Sequence, residues 1–204
     1  MKIIIITRPD FFEGETDLVN RLFQVGMERL HLRKPKATKQ EMAEWIDRID
    51  LPFRHRIVLH DHYELAKTFS LGGIHLNSRN PEPPLWVAEE CESRPFTVSR
   101  SCHSLSEVIE HKNECNYLFL SPIYDSISKE GYGAAFTRST IFEAHQQGII
   151  DYKVYALGGI SFDRLQEVSD MGFSGAAILG DLWLAESPIE KYISFTYNSR
   201  CKML

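Results

Sequence analysis

Apolar residues in this chain come in short unbroken bursts, separated by polar stretches in which apolar positions recur at a helical period. The bursts are KIIIIT (2–7), RLHLR (29–33), RIVLH (56–60), GIHLN (73–77), FTVSR (96–100), YLFLSP (117–122), KVYAL (153–157) and GAAIL (175–179). Each is strand-length and rich in Ile, Val, Leu or aromatic residues. Each is continuous rather than alternating, as expected for strands covered on both faces.

Most of the intervals predict amphipathic helices. Leu18, Val19, Leu22, Phe23 and Val25 form an apolar stripe that stops at Gly26, a C-terminal helix signal. Thr38 followed by Glu41 is a capping box for a helix over 38–49. Ser104 and Glu107 stand in the same relation, and a further helix opens at Ser161 and stops at Gly172. The segment NSRNPEPPLW (77–86) carries three prolines and reads as a loop with at most a short helix.

Strand and helix thus alternate every 20 to 30 residues, the rhythm of linked βαβ units. Eight units fit a closed (β/α)8 TIM barrel at the small end of its range, and an open doubly wound sheet shares the same period. The 204 residues are expected to form one domain, 1–204, with no linker or low-complexity tract. A net charge of −5 without a basic stripe argues against a nucleic-acid partner. The four isoleucines before Thr7, Arg8 and Pro9 are too few for a signal-peptide core or a membrane span, so a cytoplasmic protein is expected. Cys91, Cys102, Cys115 and Cys201 show no metal-like spacing and are expected to be reduced thiols.

In such a barrel, loops at the C-terminal ends of the strands build the site, and those after strands seven and eight commonly hold phosphate. Gly158 and Gly159 follow the seventh run, and Gly180 follows the eighth. Small residues allow close backbone approach, and the following helix starts add partial positive charge, so these turns are candidates for a phosphate cup. The other strand ends carry Arg33 with Lys34 and Lys36, then His60, Asp61 and His62, then Asn77 through Asn80. Further round come Arg100, Ser101 and His103, and finally Ser121 through Lys129. This polar, basic rim predicts an anionic, phosphorylated substrate. Lys34 and Lys36 also read as a solvated face, His75 as a packed strand histidine, and Phe119 and Ile57 as core. In the loop SPIYDSISKEGYG, Lys129 could fold over a phosphate while Ser126 and Ser128 donate hydrogen bonds.

The stretches HLRK, HDHYELA, GIHLNSRNP, SRSCHSLSEV, YLFLSPIYDSISKEG and ALGGI, in this order and spacing, resemble the thiamine phosphate synthase/TenI family of small TIM barrels. The likeness runs from strand two to strand eight. It implies a transferase of thiamine biosynthesis that joins hydroxymethylpyrimidine diphosphate to thiazole phosphate and releases diphosphate with Mg²⁺. By position it implies Arg33 and Lys129 on the diphosphate and Asp61 on Mg²⁺. It further implies Ser101 beside the pyrimidine, and Ser126, Ser128, Gly159 and the Gly180 backbone around the thiazole phosphate.

Four positions depart from the synthase pattern. His31 replaces a glutamine, Pro35 a lysine, His60 an asparagine, and Asn80 a second Mg²⁺-binding aspartate. An amide oxygen at Asn80 brings a dipole to the metal without net charge. Members of the TenI branch, which aromatise a thiazole carboxylate phosphate tautomer without metal, show similar erosion, and SRSCHSLSEV resembles that branch. The tautomerase histidine position is Pro122 here, so His103, His60 or His62 would have to serve as the base. A non-catalytic barrel that binds thiazole or thiamine phosphate is the third reading. The sequence does not give the oligomeric state.

Overall fold

All eight bursts are strands of one parallel, closed barrel in the computed structural model, which describes residues 1–125 and 135–201. The strands are β1 (Lys2–Ile6), β2 (Leu30–Leu32), β3 (Ile57–Leu59), β4 (Gly73–Leu76), β5 (Thr97–Cys102), β6 (Tyr117–Leu120), β7 (Val154–Ala156) and β8 (Gly175–Ile178). Each pairs with its sequence neighbour. The ring closes where Lys2, Ile3, Ile4 and Ile5 pair with Gly175, Ala176, Ala177 and Ile178. That pairing decides against the open sheet, since a closed ring leaves no edge strand with unpaired N–H and C=O groups.

Helices wrap the outside: α1 (Glu15–Gln24), α2 (Lys39–Asp47), α3 (Glu64–Thr68), α4 (Val87–Ser93), α5 (Leu105–His111), α6 (Arg138–Gln146), α7 (Leu165–Asp170), α8 (Gly180–Trp183) and α9 (Pro188–Cys201). Among the described residues none is long and apolar enough to cross a membrane. The capping box of α2 forms as the sequence predicts, Thr38 Oγ1 accepting from Glu41 N while the Glu41 carboxylate accepts from Thr38 N. At α5 only half of the box forms. Ser104 accepts from Glu107 N, but the Glu107 carboxylate reaches past it to His103 N at 2.8 Å. Ser161 makes no side-chain cap, and its helix begins with a 3-10 turn, Phe162–Arg164.

Alternation along each strand sorts the side chains into two cores. Ile5, Leu30, Leu32, Ile57, Leu59, Ile74, Leu118, Leu120 and Ile178 point outward and pack with Val19, Leu22, Phe23, Met42 and Ile46 of the helices. Ile4, Ile6, Tyr117, Phe119, Tyr155 and Ala177 point inward. Barrel interiors are ordinarily filled by branched apolar residues. Here the β2–β5 side is instead polar, lined by His31, His60, His75 and Ser99, all buried.

Those polar groups satisfy one another. His31 Nε2 meets the Tyr117 hydroxyl at 2.7 Å and His31 Nδ1 meets His60 Nε2 at 2.9 Å. The His60 ring stacks on His75 with centroids 4.2 Å apart. The two nitrogens of His75 lie 2.8 Å from Ser99 Oγ and Ser101 Oγ. Burial holds all three imidazoles well toward the neutral form, and His75 is pushed down to about 3. A neutral ring carries one donor and one acceptor, so both nitrogens can be bonded without placing charge in the core.

A second buried polar cluster corrects the reading of Lys34 as a solvated residue. Lys34 is 1% exposed, whereas Lys36 does face solvent. The Lys34 ammonium donates to both Glu15 oxygens at 2.6 and 2.8 Å and to Asp10 O at 2.9 Å. Trp45 Nε1 donates to the same carboxylate at 2.9 Å. Burial draws Glu15 up and Lys34 down, and each charge opposes that drift in the other. The cluster ties the β1–α1 segment, the end of β2 and α2 into one corner.

Two expectations follow from these clusters. Lys34→Met, which strands Glu15 in the core, should cost about 3–5 kcal/mol, and the double change Lys34→Met with Glu15→Leu should recover most of that loss. Urea titrations of the three proteins test it, and a single variant as stable as wild type would refute the account. The histidine cluster sets the acid side of the stability curve. Its folded pKa values lie below the unfolded value near 6.5, so the unfolded chain takes up protons that the barrel refuses. Stability should therefore fall as pH drops below about 6.5, each histidine adding up to about 1.4 kcal/mol per pH unit. Urea titrations from pH 7 to 4.5 should show this slope, and His75→Gln should flatten it by about one proton.

Candidate active site

An all-parallel ring sends the C-terminal end of every strand to one rim, and the candidate residues gather there. Thr7, just past β1, holds the end of β2 through its hydroxyl, which accepts from Arg33 N at 2.9 Å and donates to Arg33 O at 3.2 Å. The Arg33 side chain is half-buried at the mouth. Burial, then the nearby charge of Arg79, lowers its pKa, while Asp61 opposes the shift. His60 directly follows β3 and is the uppermost imidazole of the barrel cluster, 4% exposed, whereas His31 beneath it has no exposed surface. Contact between that cluster and a ligand would therefore pass through His60, with His31 orienting it. His62 turns away and bonds Ala37 O at 2.9 Å.

Beside His60, the turn after β4 is closed by Asn77 and Asn80, whose backbones exchange hydrogen bonds at 3.1 and 3.0 Å. The Asn77 side-chain oxygen accepts from Arg79 N at 3.0 Å, a turn geometry that Asn favours. At the tip, Arg79 grips Asp61 through both carboxylate oxygens, at 3.0 and 3.1 Å from Nη2 with Nε adding a contact of 3.2 Å. Asn80 Nδ2 donates to Asp61 Oδ1 at 3.0 Å and also faces His60 O at 3.3 Å.

These contacts bear directly on Mg²⁺, which wants a near-octahedral set of oxygens. Both oxygens of Asp61 are already engaged by a guanidinium. Asn80 presents its NH₂, and turning the amide over would set its oxygen against two acceptors. The Asp61–Asn80 pair expected from the sequence thus offers no second oxygen to a metal, and the residues present do not fit Mg²⁺.

Further round, Ser101 stands on β5 with its hydroxyl against His75 Nε2. The exposed His103 sets Nδ1 3.3 Å from both the carbonyl and the hydroxyl of Ser121, at the end of β6. Ser126, Ser128 and Lys129 lie outside the described residues.

The glycine turns complete the rim. Gly158 and Gly159 have φ values of 95° and 64°, a region that glycine enters without penalty. A Cβ on Gly159 would also run into the Asp125 carbonyl oxygen and come within 2.8 Å of Tyr124 Cβ. Packing against the β6 loop therefore demands glycine at 159 whether or not a phosphate binds. Gly180 differs, since among the described residues a Cβ there would meet only Leu184 Cδ1, at 3.8 Å. Asp181, the next residue, links the two turns. Its Oδ2 accepts from Phe162 N at 2.9 Å, and its Oδ1 pairs with Lys191 at 2.6 Å. One N–H at the helix start after β7 is thereby satisfied by the protein's own carboxylate.

Within the rim stretch 77–80 the sequence gives Arg79 no role of its own, and it singles out neither Asp181 nor Glu15, the buried carboxylate that Lys34 and Trp45 share. Only Arg79 had a local signal, its place between two turn-forming asparagines.

The chain is 25% identical over 179 residues to the thiamine-phosphate synthase of Dictyoglomus thermophilum, covering 86% of this chain and 78% of that protein. A solved structure described as thiamine phosphate pyrophosphorylase from Bacteroides thetaiotaomicron superposes with a TM-score of 0.83 at 38% identity, over 98% of both chains. A thiamine phosphate pyrophosphorylase from Pyrococcus furiosus shares the fold, with a TM-score of 0.75 at 20% identity over 96% of this chain and 94% of that one. The family model described as thiamine monophosphate synthase matches residues 3–182, nearly the whole barrel, and the chain belongs to that family.

Proposed function

We propose that this chain is a thiamine-phosphate synthase, coupling hydroxymethylpyrimidine diphosphate with thiazole phosphate. In this reaction the bond from the pyrimidine methylene carbon to the diphosphate oxygen breaks, the electron pair leaving with diphosphate. The thiazole nitrogen then supplies the pair for the new C–N bond. The observation that carries the reading is the 38% identity, over essentially the full length, to a structure described as a thiamine phosphate pyrophosphorylase.

The rim offers a group for each part of the substrates. Arg33, its backbone fixed by Thr7, faces the diphosphate, and the family resemblance assigns Lys129 to the same group. Ser101, its hydroxyl held by His75, lies beside the pyrimidine, and His60 forms the polar floor. The turns at Gly158, Gly159 and Gly180 take the thiazole phosphate through backbone N–H groups, helped by Ser126 and Ser128.

A second reading, tautomerisation of a thiazole carboxylate phosphate, is favoured by one contact. His103 places an imidazole against Ser121, beside the Pro122 position where the resemblance puts the tautomerase base. His103→Ala separates the two, since it should abolish aromatisation yet leave coupling, in which the thiazole nitrogen attacks without losing a proton, within about threefold.

Incubating the purified protein with both phosphorylated substrates should yield thiamine phosphate and diphosphate, and no product at any substrate concentration would refute the synthase reading. Gly180→Val tests the phosphate cup more cleanly than a change at Gly159, where the turn itself would fail. It should raise KM for thiazole phosphate about tenfold, or ~1.4 kcal/mol, with kcat and melting temperature little changed. An unchanged KM would remove Gly180 from the cup.

A further inference from the structure

The corner formed by Arg33, Asp61, Arg79 and Asn80 holds two guanidinium groups, one carboxylate and an amide that turns its donor side inward. Among the described residues, the Arg33 guanidinium is bonded to no acceptor, although it is half-buried. Two cations, one of them without a hydrogen-bonding partner among the described residues, against a single anion leave the corner with excess positive charge. Forked N–H donors of this kind match the oxygens of a phosphoryl group.

Arg79 is placed there by construction. The turn that carries it is closed by two backbone hydrogen bonds, capped by the Asn77 side chain, and tied down where Tyr63 donates to His75 O at 2.6 Å and lies 3.4 Å from Asn80 O. Arg79 remains 42% exposed, so its guanidinium can meet a ligand from the mouth. Asp61 is 14% exposed and acts as the anchor that aims it.

We propose that this corner is a metal-free diphosphate subsite, in which the Arg79 guanidinium beside Asp61 stands where a charge-neutralising divalent cation would otherwise be needed. Arg33 and Arg79 clamp the diphosphate oxygens from two sides, and Asn80 Nδ2 adds a neutral donor. The identity of the anion rests on the synthase reading, while the binding chemistry rests on the corner alone.

Calorimetry with inorganic diphosphate tests it, run in EDTA and again in Mg²⁺. The wild-type protein should bind diphosphate in EDTA, and Mg²⁺ should not tighten binding. Arg79→Gln should weaken binding in EDTA about ten- to hundredfold, and Arg79→Lys less, because the charge remains while the fork is lost. Asp61→Asn should keep binding in either buffer, since the amide oxygen still accepts from and aims the guanidinium while the competing negative charge is gone, whereas a metal site would lose affinity in Mg²⁺. Circular dichroism on each variant confirms the fold, and the Asp61→Asn and Arg79→Lys arms decide the matter should Arg79→Gln not fold.

Binding seen only with Mg²⁺, no binding in either buffer, or Arg79→Gln binding like wild type would each overturn the proposal. Its failure is distinguishable from that of the synthase reading. Product formed only with Mg²⁺ sinks the subsite and leaves the synthase, whereas diphosphate bound in EDTA without any product does the reverse.

Discussion

The pairing of β1 with β8 is the constraint from which the rest of the molecule follows. Four residue pairs, from Lys2 with Gly175 to Ile5 with Ile178, turn a row of βαβ units into a ring. Once the ring is closed, every strand is covered on both faces, which is why the apolar bursts are unbroken rather than alternating. Closure also fixes direction. Eight loops separated by as much as the whole length of the chain share one rim, and chemistry collects there because nowhere else do so many segments meet.

Closure creates a second problem, a lumen that must be filled. This chain fills half of it with Ile4, Ile6, Phe119 and Ala177, and the other half with neutral imidazoles and hydroxyls. The polar half is tolerated because both ring nitrogens of His31 and of His75, and Nε2 of His60, each have a donor or acceptor close by. The arrangement runs up to His60 and Ser101 at the mouth, so the same network that fills the barrel sets the orientation of its rim. Support and site are one structure here.

The strands were legible because burial on both faces writes itself into composition, and α2 was legible because Thr38 and Glu41 cap it locally. The positions of Arg33, Asp61 and the glycine turns followed from strand order alone. What stayed hidden depended on contacts between distant segments. Lys34 read as a solvated lysine because its partners lie 19 and 24 residues away at Glu15 and Asp10, beyond any local pattern. Asn80 read as a weakened metal ligand because the orientation of an amide is settled by its neighbours, His60 O and Asp61, and not by its own side chain. Gly159 looked like a phosphate residue, yet its need for glycine also comes from Tyr124 and Asp125 on another loop.

Asp181 has a consequence for how such a barrel can change. Its side chain grows from the eighth loop but completes the seventh, by accepting from Phe162 N, and its charge is balanced by Lys191 on α9. These three segments are consequently not interchangeable parts. Grafting a seventh loop from a relative onto this scaffold would leave the carboxylate facing a foreign backbone, and grafting an eighth would bare an N–H and release Lys191. The cup can diversify only as a set of three, which makes this side of the rim the conservative one, while the Arg79 turn is tied chiefly to a single neighbour, the loop after β3, through Asp61 and Tyr63.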